Sequence, residues 1–148
     1  MNIASALLKQ LVSQQDLDTW SQLKDIYLPS EYRGIYHELE KHVDLYQALP
    51  TFEELNYSLR ESKLLEKVSA IESVEVDVDA DMLLDYLKNE YAQVEILDEL
   101  DKFVEKTVTI ATAEENIEQL QEIVLDVSDK VDVTPPSESM QTITLFED

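Results

Sequence analysis

Glycine and proline are scarce in this chain, and that scarcity narrows the possible folds more than any other feature. The 148 residues include one glycine and four prolines. An all-β domain has to turn about every ten residues and needs many more of both. Apolar residues instead recur at steps of three and four, which is typical of amphipathic helices. We therefore predict an all-α fold.

The same composition argues against catalytic chemistry. Phosphate-binding loops need several glycines, and Gly34 stands alone. The absence of cysteine excludes disulfides, thiolate zinc sites and thiol catalysis. His37 and His42 would point about 140° apart on a helix, so they do not match the H-E-x-x-H zinc pattern. The acidic run Asp77–Asp81 resembles the start of a calcium loop, but Met82 replaces the required glycine. We expect no catalytic site, cofactor or metal in this chain, and an enzyme acting through metal or carboxylate chemistry is a remote alternative.

The charge of the chain restricts its partners. Thirty-three acidic residues against 11 basic ones give a net charge of −22. Such a chain repels phosphate backbones and anionic membranes, so we expect neither nucleic acid nor membrane as a direct ligand. The segment Met1–Val12 lacks the pattern of a secretory signal, and we expect a cytoplasmic protein. One alternative function follows from the charge itself: an acidic helical DNA mimic or adaptor that binds a basic partner.

The first half of the chain predicts a helical head, residues 1–76. Its clearest local signal is Thr51, an N-cap that forms a capping box with Glu54. Gly34 lies inside a predicted helix, where its expected use is to let another helix approach closely. The head helices are predicted from Ile3 to Val12, from Leu17 to about Ile26, from Ser30 to Tyr46, from Phe52 to about Arg60 and around Leu64 to Ile71.

The second half predicts a long antiparallel helical hairpin, residues 77–132. Neither proline nor glycine occurs between Asp79 and Pro135, and a β-branched stretch with a capping box at Thr112 divides the segment. The two helices are expected at Ala80–Lys106 and Ala113–Val131. The predicted seam comprises Leu83, Leu87, Tyr91, Val94, Leu97 and Val104 on the first helix, with Ile117, Leu120, Val124, Val127 and Val131 on the second.

A second apolar stripe lies outside this predicted seam. Its members are Ile96, Leu100, Phe103, Ile110 and Leu125. An isolated hairpin has no interior for a second stripe, so these residues must pack on the head or on another chain. Periodicity alone gives the two possibilities equal weight. Pairing of the hairpin with a copy of itself is the sharper hypothesis, and it makes these five residues a candidate oligomer interface.

The order of these elements resembles the N-terminal domain of DnaB-family replicative helicases, and most closely the versions in tailed bacteriophages. Three features carry the resemblance: the helix segment Glu31–Tyr36 reading EYRGIY, the spacing from His42 to Tyr46, and the segment Ala48–Leu55 reading ALPTFEEL. The resemblance covers about residues 3–131. Its motifs are apolar and capping patterns, not catalytic signatures.

This resemblance implies a role in DNA replication. In that family the head and hairpin form a collar above the motor ring, and hairpins pair between subunits of a hexamer. Primase or a helicase loader docks on the collar. Residues 133–148 would begin a linker toward an ATPase domain, and ATP and Mg²⁺ would bind only there. We accordingly expect this chain to be the N-terminal part of a longer ATP-dependent DNA helicase.

Overall fold

All regular structure in the described part of the chain is helical, which confirms the all-α prediction. The computed structural model describes residues 2–106 and 110–131, with the backbone alone at residue 131. The helices are α1 (Ile3–Gln14), α2 (Leu17–Gln22), a short 3₁₀ helix (Asp25–Tyr27), α3 (Ser30–Tyr46), α4 (Phe52–Ser58), α5 (Leu65–Glu72), α6 (Ala80–Lys106) and α7 (Ala113–Val131).

Side-chain caps fix where three of the head helices begin. Asn2 accepts a hydrogen bond from the backbone of Ser5 and starts α1. Asp16 does the same for Thr19 at the start of α2. The capping box predicted before α4 is confirmed: Thr51 Oγ1 accepts from the Glu54 backbone, and the Glu54 carboxylate accepts from the Thr51 backbone. These bonds satisfy amide groups that would otherwise lack partners at a helix start.

Helix α1 lies at the centre of the head. It is buried on nearly every side, from Ala4 to Val12, and it contacts α2 and α5. Gln10, a buried polar side chain of α1, donates to the carbonyl oxygens of Val76 (3.4 Å) and Val78 (2.8 Å) in the connector before α6. The largest fully buried side chains in the described residues are Leu7, Leu8, Leu11, Leu28, Ile35, Leu39, Pro50, Val68, Leu83 and Leu84.

Gly34, the one glycine of the chain, lies close to the side chain of Leu64. A Cβ added at Gly34 in α3 would lie 3.1 Å from Cδ2 of Leu64. The close approach predicted from the sequence therefore exists, although Leu64 immediately precedes α5 and is not in the middle of a helix.

The two long helices have the bounds that the sequence predicts. Thr112 Oγ1 accepts from the backbone of Glu115 at the start of α7, as expected for an N-cap. The chain divides into two compact units, Met1–Leu87 and Lys88–Asp148. The prediction placed the start of the hairpin at residue 77. The first turns of α6 belong to the head unit, where Leu83, Leu84 and Leu87 are buried. The predicted linker, residues 133–148, lies outside the described residues.

Candidate functional site

One face of α6 is turned toward α7 in the unit Lys88–Asp148. Lys130 of α7 donates to the carboxylate of Glu95 at 3.0 Å. Glu95, Glu99 and Phe103 follow at steps of four and therefore share a face of α6. Phe103 is only 8% exposed, and Ile123 and Val127 of α7 are buried as well. The hairpin contact is thus centred on Phe103, Ile123 and Val127.

The predicted seam is wrong in its register on α6. On α7, Val127 is buried as predicted, and the side chain of Val131 lies outside the described residues. Leu97 is 63% exposed, and it lies about 160° around α6 from Glu99. The prediction makes the apolar stripe continuous from Leu83 onward. In the structure Leu83 and Leu87 are buried in the head unit, so α6 buries different faces in its two parts. The seam residues that the structure leaves exposed are Val94, Leu97, Val104, Ile117, Leu120 and Val124.

The five candidate interface residues have different surroundings. Phe103 was expected outside the seam, and that placement is wrong because it belongs to the buried centre of the hairpin. Leu100 is half-buried, whereas Ile96 and Leu125 are exposed. Ile110 is 84% exposed and lies in a turn before α7 rather than on a continuation of α6.

An apolar face forms on the side of the hairpin away from the Glu95–Lys130 ion pair. Around an ideal helix, the order of side chains on α6 starting from Glu95 is Phe103, then Ile96, then Leu100. On α7, the order starting from Lys130 is Ile123, then Val127, then the exposed residues Leu120, Val124 and Ile117. We call this the hairpin apolar face: Ile96, Leu100, Ile117, Leu120 and Val124.

Ion pairs occupy another side of α6 in this unit. The Lys102 ammonium lies 3.4 Å from Asp98 and 3.6 Å from Glu99, and these carboxylates raise the pKa of Lys102. The hydrogen bond to Glu95 likewise raises the pKa of Lys130. Lys102 and Asp98 are well exposed, so their pair contributes little stability.

A second surface feature lies in the head, where α3 ends and α4 begins. His42 of α3 is held at both ring nitrogens: Nδ1 is 2.8 Å from the Ala48 carbonyl oxygen and Nε2 is 3.0 Å from Glu54 Oε2. Its ring also lies 4.7 Å from that of Tyr46. Bonds from His42 and from the Thr51 backbone lower the pKa of Glu54.

These contacts frame two adjoining depressions with volumes of about 310 and 510 Å³. His42, Tyr46 and Ser58 line both of them. We call the pair the α3–α4 groove. Its other lining residues are Glu38, Lys41, Leu45, Pro50, Glu53, Glu54, Leu55 and Tyr57.

The groove carries large apolar side chains that are open to solvent. Leu45 is 62% exposed, Tyr46 65% and Tyr57 70%. The periodicity of α3 predicts a buried stripe of Ile35, Leu39, Val43 and Tyr46. Its last member is wrong, because the helix is buried only as far as Leu39 and Tyr46 is exposed. Sequence analysis missed the groove. One signal was present: Leu45 lies about 160° around α3 from Val43 and therefore falls outside the predicted stripe.

The two histidines occupy separate places. His37 lies 3.6 Å from Glu40 and 3.9 Å from Asp25, whereas His42 contacts Glu54. In residues 2–106 and 110–131 we find no group of three or more side chains arranged to hold a metal ion. Within these ranges there is also no helix that combines the length and apolarity needed to cross a membrane.

Comparison of the chain with protein-family models, with curated proteins and with solved structures found no match.

Proposed function

We propose that this chain is the N-terminal oligomerisation and docking domain of a hexameric replicative DNA helicase, with primase or a helicase loader as the docked partner. The sequence resemblance to DnaB-family N-terminal domains supports the proposal. The observation that carries it is the hairpin apolar face, a strip of exposed and half-buried apolar side chains that spans both α6 and α7.

A face of this kind favours association. Large apolar side chains exposed together on a soluble unit mark contact surfaces more often than single exposed residues do. Ile96 and Leu100 on α6 lie on the same side as Val124 on α7, so a second hairpin could cover both helices at once. Self-association through this face would replace water with apolar contacts, and it would therefore tolerate high salt.

The test is the absolute mass of the chain in solution, measured by light scattering over a range of concentrations and at low and high salt. We expect a salt-tolerant dimer or hexamer. Val124→Glu should lower the mass, whereas Gln119→Glu adds the same charge about 140° around α7 from Val124 and should leave it unchanged. A strict monomer at every concentration would overturn the oligomerisation part of the proposal.

The second candidate function is an acidic helical DNA mimic or adaptor. The net charge of −22 favours it. It requires a basic protein partner whose binding weakens strongly as salt rises. A monomeric chain that bound such a partner only at low salt, in competition with DNA, would favour this function over the helicase domain.

A further inference from the structure

The exposed apolar surface of the head is concentrated in one place. Within the described part of the unit Met1–Leu87, the three most exposed large apolar side chains are Leu45, Tyr46 and Tyr57. All three line the α3–α4 groove. Scattered exposed apolar residues are ordinary, but three around one depression mark a binding surface.

The walls of the groove are fixed by contacts within the chain. His42 connects α3 to the Ala48 carbonyl oxygen and to Glu54 of α4. On the far wall, the Arg60 guanidinium lies 4.4 Å from the Tyr57 ring centre and donates to the Tyr57 carbonyl oxygen. A preformed groove loses less conformational freedom on binding than a flexible one.

The charge around the groove selects its occupant. Glu38, Glu53 and Glu54 line it against Lys41, and the Arg60 guanidinium lies over the Tyr57 ring on the far wall. Leu45, Pro50 and Leu55 supply apolar contacts. Carboxylates and phenol rings both attract a cationic side chain. A second copy of this chain carries the same charge of −22, and residues 133–148 contain no lysine or arginine. Charge therefore disfavours a second copy of the chain, and also residues 133–148 of the same chain, as the occupant of the groove.

We propose that the α3–α4 groove docks a segment of a partner protein that presents an arginine or lysine beside an apolar side chain. This inference names the docking face and the chemistry of the partner, and in that respect it rests on the proposed function. It does not depend on the hairpin apolar face, which is on the other unit of the chain.

The probes are three labelled peptides about ten residues long, titrated into the whole chain at about 150 mM NaCl and followed by fluorescence anisotropy. The first carries arginines beside leucines, the second replaces the leucines with serine at the same charge, and the third replaces the arginines with glutamate. We expect the first to bind at least tenfold more tightly than either control. Equal binding of the two arginine peptides would overturn the proposal, because it would show attraction to net charge alone.

Two matched sets of variants locate the site. Tyr46→Ala combined with Tyr57→Ala should weaken binding of the first peptide about tenfold. Tyr86→Ala, which removes an exposed tyrosine from α6, should change it less than twofold. Circular dichroism of each variant checks that the helices are retained. An equal effect of the groove and control tyrosines would overturn the proposal.

The second set tests the acidic rim. Glu38→Gln with Glu53→Gln should weaken binding several-fold more than Glu75→Gln with Asp77→Asn, which removes the same charge from the connector. Equal losses would overturn the proposal. Light scattering on the groove variants separates the two proposals. A groove variant that loses peptide binding but keeps its mass affects the groove alone. A Val124→Glu chain that loses self-association but still binds the peptide affects the hairpin alone.

Discussion

At the scale of single residues, Glu54 has two partners at the turn between α3 and α4. Its carboxylate completes the capping box with Thr51 and also bonds to His42. Both contacts favour the charged form, and the pKa of Glu54 is accordingly lowered. A carboxyl group whose pKa is lower in the folded state stabilises the fold at pH values above its unfolded pKa, and it loses that contribution as the pH falls through the folded value.

Replacing Glu54 with glutamine should therefore have a pH-dependent effect. At neutral pH, Glu54→Gln should lower the midpoint of thermal unfolding, because the amide cannot supply the charge that faces His42. The difference from the parent chain should shrink below pH 4.5, the ordinary value for this group, as the parent carboxylate is protonated. Thermal unfolding between pH 3 and 7 measures this, with Glu53→Gln as the control. A constant difference across that range would contradict the prediction.

Gly34 offers a second test at this scale. An alanine there should stabilise α3 by about 1 kcal/mol through helix propensity, but its Cβ would crowd Leu64. We expect Gly34→Ala to raise the free energy of unfolding by less than about 1 kcal/mol in the parent chain. In a Leu64→Ala background the rise should be close to about 1 kcal/mol. Urea unfolding of the four chains in this cycle measures the coupling. Equal gains in both backgrounds would show that Leu64 exerts no crowding.

At the scale of elements, the sequence predicts helix ends better than helix faces. Caps are local, so Thr51, Thr112 and the bounds of α6 and α7 follow from residues a few positions apart. The face that a helix buries depends on a partner elsewhere in the chain. Helix α6 changes partner along its length, and no residue near Leu87 marks that change. The stripe predicted from Leu83 onward therefore pointed to Leu97 instead of Phe103.

The α3–α4 groove lay beyond sequence analysis for a related reason. Periodicity identifies the side chains that a helix can bury, but it does not show where burial stops. In α3 it stops at Leu39, several residues before the helix ends, which leaves Leu45 and Tyr46 exposed. The aromatic wall opposite them comes from Tyr57 on another helix, and that neighbourhood exists only in the folded chain.

The corrected hairpin contact makes a direct prediction. Phe103→Ala should lower the free energy of unfolding by about 3 kcal/mol, because it empties the buried centre of the α6–α7 contact. Val104→Ala, at the next position and exposed, should cost less than about 0.5 kcal/mol. Urea unfolding followed by circular dichroism compares the two. Similar losses would mean that the contact is not centred on Phe103.

At the scale of the whole molecule, the charge of −22 opposes compactness. Like charges repel more in the folded chain than in the expanded one, and salt screens that repulsion. We expect the midpoint of thermal unfolding to rise by at least about 4 °C between about 20 and 500 mM NaCl, which corresponds to roughly 1 kcal/mol. The combined variant Glu75→Gln with Asp77→Asn should show a smaller rise. A midpoint that falls with salt would mean that ion pairs such as Lys130–Glu95 outweigh the repulsion.

The boundary between the two compact units falls inside α6, between Leu87 and Lys88. Modular proteins usually exchange or duplicate their parts at extended linkers, where a cut leaves each part with complete ends. A cut here would sever an intact helix and leave four backbone carbonyl groups on one fragment and four amide groups on the other without partners. Head and hairpin are therefore expected to be inherited and engineered together, and any graft of one onto another scaffold must carry all of α6 with it.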